Sequence, residues 1–246
     1  MKVKDEITQD DELVKEVFYS NKCRVGSRQI VLKLKDNYGV IMNRKKVIRI
    51  MDKYNLICKI RRKQKNTQKL AKEEYIKENI LNRQFKAQKP MQTVCTDITY
   101  IYYNNKKCYL CAYADSKTGE ILDYQLSKEL TRYFVVESTQ RLFKKYPTIS
   151  MIHTDRGSQY TSHDFNNLVN ENRVVHSMSS PGSPIDNSVI ESFWGHMKDY
   201  IDFRKCKTFQ NVIDIVDCYM YDYNNRPQWN KNKLTPIEYR KFLLAA

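Results

Sequence analysis

The chain has 246 residues with 43 Lys or Arg against 28 Asp or Glu, and its formal net charge is +15. Hydrophobic residues make up 41% of the chain, which is enough for a buried core and excludes a fully disordered protein. There is no apolar run near the ~18 residues that a membrane span needs, and the seven cysteines have no regular spacing. We therefore expect an intracellular, cytoplasmic protein without a membrane partner or a disulfide framework.

The positive charge is concentrated in the first third of the chain. Residues 1–90 hold 24 basic and 11 acidic side chains, whereas residues 91–246 hold 19 and 17. This asymmetry predicts an arm that binds a polyanion, attached to a nearly neutral body. Nucleic acid is favoured over an anionic membrane because the arm also has a helix-turn-helix pattern. A solvated helical surface is the alternative.

Residues 1–65 are predicted to form three short helices of a DNA-binding helix-turn-helix domain. Asp10, Ser27 and Asn43 are in position to cap these helices, and Gly39 ends the second one. A tight glycine-containing turn followed by a helix rich in cations is typical of a reader of the DNA major groove. The cations that we expect to contact DNA are Arg44, Lys45, Lys46, Arg49, Arg61, Arg62 and Lys63. Residues 66–90 are predicted to be a basic linker or a polar helix.

The sequence pattern changes after residue 90. Segments rich in Thr, Tyr, Ile and Val predict three strands, and Asn104-Asn105 predicts a hairpin turn between the first two. Alternating helices and short strands follow. The predicted elements are strands at 91–103, 107–113, 120–126, 148–153 and 173–177, with helices near 131–146 and 163–172 and a helical series after residue 185. This order is that of an α/β ribonuclease-H-like core over residues 91–202, and residues 203–246 are a C-terminal helical extension.

Three carboxylates occupy unusual places in this core. Asp97 lies in the middle of a predicted strand, where an unpaired carboxylate is costly. Asp155 follows the end of another strand, where sites of α/β proteins commonly gather, and Glu191 borders the apolar stripe of a helix. Taken singly, each of two residues has an ordinary interpretation: Asp155 caps a turn, and Glu191 is an acidic residue on the surface of a helix. As a set they favour a site that binds two Mg²⁺ or Mn²⁺ ions for phosphodiester chemistry.

The segments around these residues resemble a known family. Thr96–Tyr100, His153–Tyr160 and Asp186–Phe193 are similar to the catalytic segments of DDE transposases of the insertion-sequence-three family, in the product of the second reading frame (OrfB). The 35 residues between Asp155 and Glu191 match the spacing that this family shares with retroviral integrases. Arg156, Thr154 and Ser27 depart from the commonest pattern without removing a carboxylate.

The resemblance implies a DNA transposase with a retroviral integrase-like core. Asp97, Asp155 and Glu191 would bind the metal and catalyse 3′-end cleavage and strand transfer. Gln159, Tyr160 and Lys198 would contact DNA near the site. The implied partners are double-stranded DNA at the element ends and the target, further copies of the chain in a homo-oligomer, and an upstream-frame (OrfA-type) partner or fusion. The resemblance also implies a bacterial, nucleoid-associated location.

Other interpretations remain open at this point. A DNA-binding regulator or inhibitory partial product of the same element would use the basic arm without catalysis, and a ribonuclease-H-like nuclease would cleave without joining strands. His153 suits a contact with phosphate or a structural place at a strand end. Trp194 suits the core better than stacking on a flipped base.

Overall fold

The computed structural model describes residues 8–58, 76–85 and 89–245, apart from the side chain of residue 184. The described residues form two compact units: those before residue 64 together with Pro227–Thr235, and the remainder. Every helix within the described ranges is too short or too polar to span a bilayer. The predicted domain limits at residues 65, 90 and 202 stay predictions.

The N-terminal unit contains the three predicted helices, α1 (Gln9–Ser20), α2 (Ser27–Tyr38) and α3 (Arg44–Lys53). The cap of α1 is Thr8 and not Asp10, because the Thr8 hydroxyl accepts from the Asp11 N–H while the Asp11 carboxylate accepts from the Thr8 N–H. Gly26 precedes α2, whereas the sequence predicts Ser27 as its cap. Asn43 caps α3 as predicted, through a bond from the Lys45 N–H.

One apolar cluster holds these three helices together. Val14, Ile30 and Val47, one from each helix, are completely buried in it. The α2–α3 connection begins at Gly39, whose φ of 66° lies in the left-handed region that glycine adopts without strain. The helix-turn-helix arrangement predicted from the sequence is therefore present, with the cations of α3 on the surface.

The second unit is built on a five-stranded sheet. Its strands are β1 (Thr93–Tyr103), β2 (Lys106–Asp115), β3 (Ile121–Ser127), β4 (Met151–Thr154) and β5 (Val175–Met178). The spatial order is β3-β2-β1-β4-β5, with β1 to β3 antiparallel and with β4 and β5 parallel to β1. Asn104 and Asn105 both have positive φ, which confirms the predicted two-residue hairpin turn.

Helices cover both faces of this sheet. They are α4 (Arg132–Lys145), α5 (His163–Glu171), α6 (Ser188–Tyr200) and α7 (Phe209–Asn225), and α8 (Pro236–Ala245) contacts α7. One apolar cluster joins the sheet to α4 and α5, and another joins it to α6 and α7. Because side chains alternate along β1, Val94 enters the first cluster and Cys95 the second. This is the α/β, ribonuclease-H-like architecture that the sequence predicted.

Residues 76–85 lie against the edge of this sheet with a bend and turn at residues 81–83, so of the two predicted alternatives they take the linker form and not a polar α-helix. The Met178 N–H donates to the Glu78 carbonyl at 3.1 Å, and the Leu81 N–H donates to Ser177 Oγ at 3.1 Å. Leu81 is 1% exposed and belongs to the cluster of α6 and α7. The end of β5 therefore gains partners from a stretch almost 100 residues earlier in the chain.

Candidate active site

Asp97 and Asp155 extend from two neighbouring strands. The parallel register of β1 and β4 pairs Cys95 with His153. Two residues further along each strand, the same register brings Asp97 opposite Asp155. Both carboxylates are half-buried. The sheet thus places them together at the carboxyl end of β4, where the sequence predicted a site.

Glu191 reaches the same place from the first turn of α6. Its own side chain is exposed. Burial, together with the negative charges of Asp155 and Glu191, raises the pKa of Asp97. Burial also raises the pKa of Asp155, whereas the hydrogen bond from the Gly157 N–H lowers it in part. Three carboxylates from β1, the end of β4 and α6 therefore share one electrostatic neighbourhood.

The chemistry of these donors fits a hard divalent cation. Carboxylate oxygens are the ligands that Mg²⁺ and Mn²⁺ prefer, and a cation would relieve the repulsion that raises the pKa of Asp97. In this conformation, no group of three His, Cys, Asp or Glu side chains within residues 8–58, 76–85 and 89–245 is arranged to hold a metal ion. The carboxylates therefore match such an ion in charge and donor type without forming a closed coordination shell.

Trp194 holds one of the carboxylates. Its indole Nε1 donates a 3.0 Å hydrogen bond to Asp97 Oδ2, and the residue is 4% exposed. The ring packs on Phe193, with 5.0 Å between the ring centroids. The core position preferred from the sequence is confirmed, but the hydrogen bond was missed. The available signal was an indole donor one helical turn after Glu191.

Gly157 holds the second carboxylate. Its N–H donates to Asp155 Oδ1 at 2.8 Å, closing a tight turn after β4. A Cβ added at Gly157 would lie 2.9 Å from the same oxygen, which is closer than real Cβ atoms approach. A side chain at this position would therefore force the carboxylate of Asp155 to shift.

Asn187 connects the start of α6 to β1. Its Nδ2 donates to the Thr96 carbonyl at 3.1 Å, next to Asp97 in the chain. Asn187 is 4% exposed, and its Oδ1 is a buried acceptor without a hydrogen-bond partner among the described residues. Because Glu191 lies one turn further along the helix, this bond fixes the helix that carries it relative to the strand of Asp97.

Asp186 anchors the loop that leads into α6. It is 1% exposed and accepts from Arg83 Nε at 2.6 Å, Asn79 Nδ2 at 2.8 Å and the Ser180 N–H at 2.9 Å. Burial would raise the pKa of Asp186, but these donors, Arg83 foremost, hold it well below its usual range. The segment 76–85 thereby clamps the loop that precedes the helix of Glu191.

The DNA contacts predicted near the site have different outcomes. Lys198 is half-buried, and its Nζ contacts Thr99 Oγ1 and the Tyr100 ring. Gln159 is half-buried and accepts from Ser158 Oγ at 3.2 Å. The prediction for Tyr160 is not supported, because this side chain is 1% exposed and its hydroxyl lies 3.2 Å from Thr96 Oγ1.

His153 is a structural residue of the β4–β5 pair. It is fully buried, and its Nδ1 and Nε2 lie 2.9 Å and 3.1 Å from the hydroxyls of Ser177 and Ser179. Burial lowers the pKa of His153 to about 4, so the ring is neutral at neutral pH. Its alternative role as a contact to phosphate is not supported, because both ring nitrogens already have partners.

The cations predicted on α3 are exposed on the N-terminal unit: Arg44, Lys45, Lys46 and Arg49. Lys46 forms an ion pair with Asp10 of α1, and Arg44 Nε donates to Ser27 Oγ at 3.3 Å. Arg61, Arg62 and Lys63 lie outside the described residues. An exposed row of cations on the second helix of a helix-turn-helix pair is the arrangement expected of a DNA-binding surface.

Comparisons with known proteins agree with this architecture. Models described as "Integrase core domain" match residues 87–184 and 172–236, and one described as "HTH-like domain" matches residues 5–64. The fold is similar to a chain of the simian T-cell lymphotropic virus intasome, with a TM-score of 0.53, 17% identity and coverage of 93% of this chain and 74% of that one. It is also similar to the HTLV-2 integrase catalytic core domain in complex with magnesium, with a TM-score of 0.50, 16% identity and coverage of 62% and 97%.

The fold and the matched family models define an integrase-like core joined to a helix-turn-helix domain. The protein named as the InsK transposase for insertion sequence element IS150 of Escherichia coli K12 is 32% identical over 236 residues, which cover 92% of this chain and 81% of that protein. The transposase for element IS904 of Lactococcus lactis is 31% identical, with coverage of 94% and 93%. The chain belongs to the IS3 family of insertion-sequence transposases.

Proposed function

We propose that this chain is the DNA transposase of an insertion sequence, a polynucleotidyl transferase that cleaves the 3′ ends of its element and joins them to new DNA. The observation that carries the proposal is the approach of Asp97, Asp155 and Glu191, from three separate elements, closely enough to raise the pKa of Asp97. A core that needed only stability would gain nothing from such repulsion.

The two steps follow from phosphodiester chemistry. In cleavage, a water oxygen bonds to the phosphorus, the bond from phosphorus to the 3′ oxygen breaks, and that oxygen leaves as a hydroxyl with a proton. In joining, the freed 3′ hydroxyl loses its proton as its oxygen bonds to a phosphorus of the target, and the bond from that phosphorus to its own 3′ oxygen breaks. The leaving 3′ oxygen takes up a proton and becomes a hydroxyl. The number of phosphodiester bonds is unchanged by the second step, so no outside energy source is needed.

The side chains of the site have separate tasks in this proposal. Asp97, Asp155 and Glu191 would hold the divalent ions, two Mg²⁺ or Mn²⁺, which when bound supply activation of the attacking oxygen and stabilisation of the leaving one. Trp194 and Gly157 each bind one oxygen of a carboxylate and so fix its direction. Asn187 keeps the helix of Glu191 against β1. These supporting hydrogen bonds preserve the geometry on which transfer chemistry depends.

The basic surfaces supply the DNA contacts. Arg44, Lys45, Lys46 and Arg49 on α3 would bind an element end, with Arg61, Arg62 and Lys63 extending the contact. Gln159 and Lys198 would hold the DNA near the carboxylates. Because both ends of an element must meet, we also propose a homo-oligomer on DNA. The family resemblance adds an upstream-frame partner or fusion and a bacterial cytoplasmic, nucleoid-associated location.

Labelled DNA duplexes that carry the element ends test the proposal. The purified full chain, with and without the upstream-frame product, is incubated with Mg²⁺, Mn²⁺ or a chelator. We expect 3′-end nicking and joined products that depend on the metal. Asp97→Asn, Asp155→Asn and Glu191→Gln should each abolish both products and keep DNA binding, whereas Asp202→Asn, a carboxylate paired with the exposed Arg204, should not.

Each other outcome overturns a defined part of the proposal. Full cleavage by any of the three carboxylate variants would mean that the site is wrongly assigned. Nicking without joined products, in every combination, would favour a nuclease. Tight binding of the element ends without metal-dependent chemistry, also in the presence of the upstream-frame product, would favour the regulator. The half-buried Asp97 argues against the regulator in advance, because binding alone does not require a carboxylate there.

A further inference from the structure

Three exposed side chains and the half-buried Tyr109 form a block on one face of the β1–β2 hairpin. Tyr100 and Tyr102 lie two residues apart on β1, and the antiparallel register pairs them with Tyr109 and Lys107 of β2. Tyr100 is 49% exposed and Tyr102 is 61% exposed. We call these four residues the tyrosine platform. Directly paired side chains on one face are in contact distance, so the block is one continuous surface.

The rings of the platform are arranged with cations around them. The centroids of Tyr100 and Tyr102 are 5.4 Å apart in an edge-to-face arrangement. Lys107 Nζ lies 5.0 Å from the Tyr109 centroid, and Lys198 Nζ lies 5.2 Å from that of Tyr100. Exposed aromatic rings interleaved with lysines combine faces that stack on bases with charges that attract phosphates.

The platform is connected to the candidate active site by two elements. Tyr100 follows Asp97 by three residues on β1, about 10 Å along a strand, and the two side chains lie on opposite faces of the sheet. Lys198, which contacts the Tyr100 ring, is on α6 two turns after Glu191. DNA that passes from the carboxylates around the edge of β1, which β4 pairs only at Thr93–Cys95, would bring its next nucleotides to the platform.

We propose that the tyrosine platform binds unpaired bases of a DNA end by stacking them on Tyr100 and Tyr102, with Lys107 and Lys198 bound to the adjoining phosphates. This proposal rests on the proposed DNA transposase function. Unpaired bases fit better than intact duplex, because base faces are covered by their neighbours in a duplex and become available only when the strand is unstacked. A protein partner fits less well because the cations surround the rings.

Fluorescence anisotropy with matched DNA ends tests this proposal. The full chain is titrated, in chelator to prevent cleavage, with a blunt duplex and with the same duplex carrying a short single-stranded overhang. The double variant Tyr100→Leu/Tyr102→Leu removes the rings and keeps the bulk. Tyr100→Phe/Tyr102→Phe keeps the rings. As a control, Tyr133→Leu/Tyr221→Leu changes two tyrosines on α4 and α7 that are more exposed than those of the platform, at 73% and 74%.

We expect the wild type to bind the overhang more tightly than the blunt end. The double leucine variant should lose at least about fivefold in affinity for the overhang, as expected when base stacking is removed, and less than about twofold for the blunt duplex. The double phenylalanine and control variants should resemble the wild type. An iodouracil placed in the overhang should crosslink to Tyr100 or Tyr102.

The contrary outcomes are distinct. An unchanged overhang affinity in the double leucine variant, or an equal loss on both DNAs, would overturn the platform. The platform would also be overturned if the double leucine variant sedimented as a smaller species than the wild type, because that would show that the surface joins two copies of the chain. A wild type that binds and cleaves element ends while the leucine variant behaves identically would leave the transposase function standing. A wild type without DNA binding or cleavage would remove that function itself.

Discussion

Trp194 and Asp97 are joined by a hydrogen bond of 3.0 Å between the indole Nε1 and the carboxylate Oδ2, although 96 residues separate them in the sequence. This bond connects α6 to the middle of β1. Because Glu191 precedes Trp194 by one turn, α6 brings both a candidate metal ligand and the residue that orients another ligand. A shift of this helix would therefore disturb two carboxylates at once.

Replacement of Trp194 by Phe should separate this orienting role from packing. The variant keeps an aromatic ring in the core and loses the N–H donor, so Asp97 is less firmly held and its pKa should rise further. We expect cleavage to fall about 10- to 100-fold and the Mg²⁺ concentration for half-maximal cleavage to rise. The measurement is a metal titration of end nicking.

The control for this change is Trp229→Phe, at the other tryptophan of the chain, whose ring lies against Lys233. It should leave the metal dependence of cleavage unchanged. If Trp194→Phe lowered thermal stability but left the metal titration identical to that of the wild type, the indole would be only a packing residue.

Replacement of Gly157 by Ala should displace Asp155. The new methyl carbon would lie 2.9 Å from Asp155 Oδ1, so the carboxylate must turn away and give up its 2.8 Å bond from the Gly157 N–H. We expect cleavage to fall at least about tenfold, since removing a supporting hydrogen bond from a metal ligand has such effects. The unfolding free energy should change by less than about 1 kcal/mol, because only a side-chain terminus moves.

Gly195→Ala on α6 is the matched control. An added Cβ there has no heavy atom within 4 Å, and alanine favours a helix over glycine by about 1 kcal/mol. Its Tm should rise and its cleavage should persist. Normal cleavage by Gly157→Ala would show that the turn after β4 tolerates a side chain and that Asp155 does not depend on it.

The fold and the carboxylate set could be predicted from the sequence because both depend on local patterns. Alternation and the Asn104-Asn105 turn define the first hairpin, and Asp97 is conspicuous as a charge within a strand. Once β4 lies beside β1, the meeting of Asp97 and Asp155 follows from the register. These inferences need no knowledge of how side chains pack.

What could not be predicted depends on contacts between distant segments. Tyr160 lies beside the motif of Asp155, where the sequence predicts a contact to DNA, but tertiary packing buries its ring. The polar composition of residues 76–85 suggests solvent, yet their donors bind Asp186 and the end of β5. The Trp194 bond depends on which edge of the indole faces β1. Composition and periodicity contain none of this directional information.

Arg83→Met should loosen the clamp on the loop before α6. Asp186 is 1% exposed and Arg83 is 53% exposed, so the variant leaves a buried carboxylate without its main charged partner. We expect a loss of about 1–3 kcal/mol in unfolding free energy, reduced from that of a fully buried pair by the exposure of Arg83. Urea unfolding at pH 7 measures it.

Arg204→Met is the control for this measurement, because Arg204 is 88% exposed in its pair with Asp202. It should leave the unfolding free energy almost unchanged, because solvent screens an exposed pair. Equal effects of the two substitutions would mean that the contact between Arg83 and Asp186 is an ordinary surface pair and that the segment 76–85 does not clamp the loop.

Acidification from pH 7 to pH 5 should destabilise the second unit through His176. Burial lowers the pKa of His176 to about 4, from an ordinary 6.5, so the unfolded chain binds the proton first and stability is lost as the pH falls below about 6.5. We expect a contribution of about 1–2 kcal/mol at pH 5. His176→Gln should shrink the difference in unfolding free energy between the two pH values. His163→Gln, at an exposed histidine of α5, should leave this difference unchanged. A His176→Gln variant that lost as much stability as the wild type between pH 7 and pH 5 would contradict the role of His176.

Neutralisation of Arg44, Lys45 and Arg49 together should flatten the salt dependence of DNA binding. All three side chains are exposed on α3, and each phosphate that is no longer neutralised should reduce the slope of log K against log salt by about 0.9. Lys46 is left in place because its ion pair with Asp10 supports the packing of α1 on α3. Anisotropy with one element-end duplex at several salt concentrations measures the slope. Neutralising Lys144, Arg204 and Lys205, three exposed cations of the other unit, should reduce it less, and an equal reduction would remove α3 from its special role in holding DNA.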